Sequence, residues 1–136
     1  MMAEFPITIY HNPDCGTSRN ALAMIETAGY APLVIEYRKV GWTRPLLEQL
    51  LTAMDATPRD LLREKGTPAA GLGLLDPSVT VDALLDAMLA HPILVNRPIV
   101  VTPKGTRLCR PSEAVLDLLG HAPDRFTKKD GAVVRD

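Results

Sequence analysis

Residues Ile7 to Tyr37 read as strand, helix, strand, and the joint between the first two is short and polar. Ile7-Thr8-Ile9-Tyr10 is a strand-like run. Ser18 to Ala28 has helical spacing, with Thr17 or Ser18 as the expected cap and Gly29 as the stop. Leu33-Val34-Ile35-Glu36-Tyr37 is a second strand. This order predicts a parallel pair joined by a crossover helix. The joint, His11-Asn12-Pro13-Asp14-Cys15-Gly16-Thr17-Ser18-Arg19, sets a cysteine beside the first N–H groups of the helix. Those groups have no partner inside the helix, and their dipoles favour negative charge. The Cys15 thiol is therefore expected to ionise more readily than a free one, whose pKa is about 8.5.

The middle of the chain is helical in pattern. Thr43 precedes a helix with Leu46, Leu47, Leu50, Leu51 and Met54 on its inner face, and Thr57-Pro58 starts another. Thr80 caps a third, carrying Val81, Leu84, Leu85, Met88 and Leu89, which His91-Pro92 ends. Thr67 to Pro77 reads as a loop or a short helix. Strand signals return at Ile93-Leu94-Val95, Ile99-Val100-Val101-Thr102 and Thr106-Arg107-Leu108-Cys109, the last two forming a hairpin through Pro103-Lys104-Gly105. Ser112 is the expected cap of a last helix with Ala114, Val115, Leu118 and Leu119; beyond Ala122 the tail is polar and weakly patterned. The order βαβ, helices, ββα predicts an α/β, thioredoxin-like mixed sheet flanked by helices. An all-helical insertion at about residues 40–92 sits within one domain, 1–136.

Composition narrows the function. With 136 residues, 46% of them hydrophobic, the chain can build one core. A net charge of -1 argues against a general nucleic-acid or membrane surface. Met1 to Glu4 gives no basic start to a signal peptide, and no apolar run approaches a membrane span. Cys15 and Cys109 make neither a disulfide framework nor a zinc site of the usual spacing, and the three histidines, His11, His91 and His121, do not cluster. A cytoplasmic protein with free thiols and no metal is the expectation.

Cys15 lies in a polar loop, which favours a nucleophile over a packed cysteine, and Gly16, Thr17 and Ser18 can offer N–H groups and hydroxyls to an oxyanion. Cys15-Gly16-Thr17-Ser18 lacks a second thiol, so no neighbour resolves a disulfide. A phosphatase-type loop needs an arginine where Ala21 stands. His11 can polarise the thiolate as a cation or hydrogen-bond donor. Of the arginines Arg63, Arg97, Arg107 and Arg110, two stand out: Arg97 between Asn96 and Pro98, and Arg110 after the hairpin. Guanidinium groups bind tetrahedral oxyanions bidentately and stay charged. In a thioredoxin-like fold the residue before that strand's proline lies near the cysteine loop, and Arg97–Pro98 is expected to be cis. Cys109 is expected to pack in the core or to stand by as a second thiol.

The run Tyr10 to Asn20 resembles the active-site signature of the glutaredoxin-coupled arsenate reductases (ArsC type). His91 to Val101 resembles their second signature and Gly105 to Glu113 their third, while Leu61-Leu62-Arg63 matches a helical arginine of that family. The resemblance runs from about Ile7 to Asp130. It implies a cytoplasmic oxidoreductase that reduces arsenate to arsenite through a covalent thioarsenate. Glutathione would be the co-substrate, glutaredoxin the partner, and no cofactor would be bound. It implies Cys15 as nucleophile, His11 as aid to its ionisation, and Arg63, Arg97 and Arg110 as the arsenate-binding arginines. Pro98 would be the cis proline, and Cys109 a cysteine that is not required. Two readings compete: a thioredoxin-like regulator that binds RNA polymerase, which usually carries C-x-x-C, against which Ser18 argues, and a distant family member with another thiol-dependent role, which usually lacks the full set of Cys15, Arg97 and Arg110.

Overall fold

The computed structural model describes residues 5–120 and the backbone of two short strands further on. Two compact units divide the chain. One runs up to Glu36 and resumes at Arg97; the other is Tyr37–Asn96.

The first unit holds a four-stranded sheet. Strand β1 (Thr8–His11) leads through the Cys15 loop into helix α1 (Gly16–Thr27), which returns to β2 (Leu33–Glu36). Strands β3 (Ile99–Thr102) and β4 (Gly105–Leu108) form the hairpin. The order is β2-β1-β3-β4, with β1 and β2 parallel and the other pairs antiparallel. The register sets His11 beside Glu36 and Ile9 beside Val100. On α1, Ala21, Met24 and Ile25 are fully buried and pack with Ile7, Ile9, Val100, Cys109 and Val115 into one core. Burying such aliphatic side chains contributes about 1.5–3 kcal/mol each and anchors α1, and with it the loop, to the sheet.

Two expectations for this unit need correction. Helix α1 starts earlier than predicted, with Cys15 as its cap residue in extended geometry. The Ser18 hydroxyl is turned instead to His11 and Asn12, so it caps nothing. The stop is at Gly29 as read: Gly29, at φ +97°, donates to Glu26 O and Tyr30 donates to Ile25 O, the paired bonds of a Schellman end. The last helix is a 3₁₀ run, Ser112–Leu118, with Pro111 in the cap position. Its buried residues Ser112, Val115 and Leu118 fall three apart, which suits the three-residue turn of that helix. Further on, Arg125–Thr127 (β5) and Val133–Arg135 (β6) pair antiparallel; the rest of the polar tail lies outside the described residues.

In the helical unit, α2 (Tyr37–Val40) is a single turn. Helix α3 (Arg44–Met54) starts at Thr43, whose Oγ1 accepts from Leu46 N. Helix α4 (Pro58–Leu61) carries a full capping box between Thr57 and Asp60, and α5 (Val81–Ala90) starts where Thr80 accepts from Ala83 N. Leu47, Leu50, Leu51, Leu84, Leu85 and Met88 are buried, whereas Val81, at the first position of its helix, is 55% exposed. Ile93-Leu94-Val95 is not a strand. Pro92 opens a 3₁₀ turn, Pro92–Leu94, and the backbone there pairs locally: Arg63 N donates to Leu94 O and Asn96 N to Leu61 O.

Candidate active site

The loop that carries Cys15 is built from its own hydrogen bonds. Cys15 N donates to Asn12 O at 3.0 Å, and Arg19 N donates to Cys15 O at 2.9 Å as the first bond of α1. Asp14 N donates to Asn12 Oδ1 at 2.9 Å, a side-chain turn of the kind asparagine favours. Behind the loop, buried Ser18 Oγ meets His11 Nδ1 at 2.7 Å and accepts from Asn12 N at 3.1 Å. Cys15, the cap residue of α1, lines a cavity of about 550 Å³.

That cavity is lined by Asp14 to Thr17, Arg19 and Asn20 from the loop and α1, and by Arg97, Arg110, Pro111 and Ser112. Arg110 Nη1 lies 3.8 Å from Cys15 Sγ and donates to Arg97 O at 3.0 Å. The Cys15 thiol is held below its ordinary pKa by opposed effects. Burial pushes it up, while the Ser18 N–H, the Arg97 charge, the Arg110 guanidinium and the Thr17 N–H together favour the thiolate more strongly. Both Arg97–Pro98 and Arg110–Pro111 are cis, so two of the three lining arginines, Arg97 and Arg110, directly precede a cis proline.

The other residues singled out from the sequence occupy different places. His11 is buried, and its pKa is lowered chiefly by burial. Arg19 adds to that effect, and Glu36 and Glu26 oppose it. His11 reaches the loop through Ser18. Arg63 belongs to the helical unit: its carbonyl accepts from Thr67 Oγ1 at 2.7 Å, and its Nη2 lies 3.2 Å from where a Cβ on Gly66 would sit. Arg107 pairs with Asp117 at 3.1 Å on the surface. Cys109 is fully buried in the core, and burial pushes its thiol up to about 12. Asn20 and Ser112 join the lining with no local signal that would separate them from ordinary polar helix residues. Among the described residues no cluster of His, Cys, Asp or Glu could hold a metal ion, and no helix is long and apolar enough to cross a membrane.

Sheet, helices and cavity define a thioredoxin-like protein that sets an acidic thiol against guanidinium groups. The chain belongs to the ArsC family, whose model matches residues 10–118. It is 62% identical over 136 residues to arsenate reductase ArsI1 of Synechocystis, covering 99% of this chain and 94% of that one. It is 53% identical over 131 residues to the arsenate reductase of Escherichia coli K12, covering 96% and 93%. The solved structure of an arsenate reductase from Vibrio cholerae matches with a TM-score of 0.81 at 38% identity, over 86% of this chain and all of that one (100%).

Proposed function

We propose that this chain is a cytoplasmic arsenate reductase that draws its electrons from glutathione and glutaredoxin. The observation that carries the reading is the Cys15 thiol, held below its ordinary pKa in a cavity that also presents Arg97 and Arg110. A thiolate alone would repel arsenate, and the two guanidiniums supply the charge that lets the anions meet. The Gly16, Thr17 and Ser18 segment gives N–H donors. His11 acts by holding the Ser18 turn, whose N–H favours the thiolate.

The chemistry balances without a bound cofactor. Cys15 sulfur attacks arsenic, water leaves, and an S–As(V) bond forms. A glutathione thiol displaces a second oxygen as water, which gives an arsenic bonded to both sulfurs. A glutaredoxin thiolate then attacks the glutathione sulfur. The electron pair of the As–S bond stays on arsenic, reducing it to As(III), and the mixed disulfide leaves. Water releases arsenite and restores Cys15. The chain needs no resolving cysteine because glutathione and glutaredoxin provide the other two thiols, consistent with Ser18 where a second cysteine would stand.

The test is arsenate-dependent oxidation of NADPH in the presence of glutathione, glutaredoxin and glutathione reductase. Turnover that disappears in Cys15→Ser is expected. Absence of turnover in the wild-type chain refutes the reading.

A further inference from the structure

The cavity at Cys15 is too large for arsenate alone. Its volume of about 550 Å³ falls in the range of sites for drug-sized organic ligands, about 300–1,000 Å³, and a single tetrahedral oxyanion fills a small part of it. Arg110 reaches the sulfur at 3.8 Å, and Arg19 lines the same cavity from the first turn of α1. The Arg19 guanidinium is held in place. Arg19 Nη1 donates to Pro13 O at 2.8 Å, and Nη2 lies 3.7 Å from where a Cβ on Gly16 would sit. The side chain therefore folds back over the first turn of α1. Fixing a long side chain costs rotamer entropy, so less is lost when its remaining N–H groups meet a carboxylate. Arg19 also lines a second hollow of about 270 Å³ with Leu22, Ala23 and Glu26, so it stands where the two spaces meet.

We propose that Arg19 anchors the reductant: glutathione enters the cavity with its sulfur toward Cys15 and one of its carboxylates on the Arg19 guanidinium. The inference rests on the reading of this chain as a glutathione-dependent arsenate reductase. It assigns to Arg19 the choice of a carboxylate-bearing thiol over a neutral one. Arg97 and Arg110 serve the oxyanion, and Arg19 serves the second substrate.

Two measurements test it. In the coupled assay, Arg19→Ala is expected to raise the KM for glutathione about tenfold, the loss of one charge-assisted contact, and to move the KM for arsenate far less. Arg19→Lys should recover part of the loss. Glutathione esterified at both carboxylates should show a raised KM with the wild-type chain and the same KM as glutathione with Arg19→Ala. The second measurement needs no turnover: S-methylglutathione titrated into the labelled protein should shift the amides of residues 16–20, and its diester should not. Equal KM values for acid and ester in the wild type, or an acid-to-ester ratio that survives in Arg19→Ala, overturn the assignment. If the wild type turns over no arsenate, the functional reading fails, and the titration alone still decides whether Arg19 binds the carboxylate.

Discussion

Nη1 of Arg110 stands 3.8 Å from the Cys15 sulfur while donating to the Arg97 carbonyl at 3.0 Å. One guanidinium thus touches both the nucleophile and the backbone of a second cavity arginine. Arg110→Ala removes a positive neighbour of the thiolate, so the pH midpoint for alkylation of Cys15 should move up. Under the proposed function, kcat/KM for arsenate should fall roughly ten- to a hundredfold, the worth of about 1.5–3 kcal/mol for a bond to a charged group. Iodoacetamide rates against pH, with steady-state kinetics, check both. An unmoved midpoint would show that Arg110 does not act on the sulfur.

The two cysteines should separate cleanly by reactivity. Cys15 is 7% exposed at the cavity with its thiol held below its ordinary pKa, whereas Cys109 is wholly buried with its thiol pushed up to about 12. Thiolates react and thiols do not. Alkylation of the native protein near pH 8 should therefore add one group, at Cys15, and a second only in denaturant. Cys109→Ala should keep arsenate turnover. Mass spectrometry reads the first outcome, and a doubly labelled native protein would contradict the buried position.

Ser18 should matter for stability. Its buried hydroxyl serves both His11 Nδ1 and Asn12 N. Ser18→Ala leaves those two groups without it, and a buried polar group stripped of its partner costs about 1–3 kcal/mol. Urea unfolding should show a lower midpoint with an unchanged slope. A midpoint equal to that of the wild type would mean the two groups find other partners at no cost.

His11 should make the protein sensitive to mild acid. Its folded pKa is depressed, first by burial and then by Arg19, against Glu36 and Glu26. Below the unfolded value of about 6.5 the unfolded chain binds the proton more readily, so stability falls as the pH drops from there toward the folded pKa. Unfolding free energies measured between about pH 7 and 5 should decline more steeply for the wild type than for His11→Asn. Parallel slopes would remove His11 as the cause.

The parts of the fold legible in the sequence are those that local chemistry dictates. Thr43, Thr57 and Thr80 start helices because a hydroxyl next to a free N–H needs no distant partner, and Gly29 ends α1 because it takes a positive φ without strain. The parts misread depend on contacts outside the local turn. Ser18 gives up capping because β1 places His11 within 2.7 Å of it. Ile93-Leu94-Val95 has strand composition, yet its backbone pairs with residues 61–63 and coils at Pro92. In the cavity, Cys15 and Arg97 have local signatures, a helix start and an X-Pro step. Asn20 and Ser112 become lining only once α1 and the segment after β4 face the same space.

The cavity is assembled from two stretches, Asp14 to Asn20 and Arg97 to Ser112, with the whole helical unit between them in the chain. On the ribosome Cys15 is made long before Arg97 and Arg110. Until those arginines emerge and β3 pairs with β1, the thiol lacks the charges that favour its ionised form. Oxidation follows thiolate character. The nascent chain therefore carries a comparatively inert cysteine, and its nucleophile is armed only after Arg110 has been made and β3 has paired with β1.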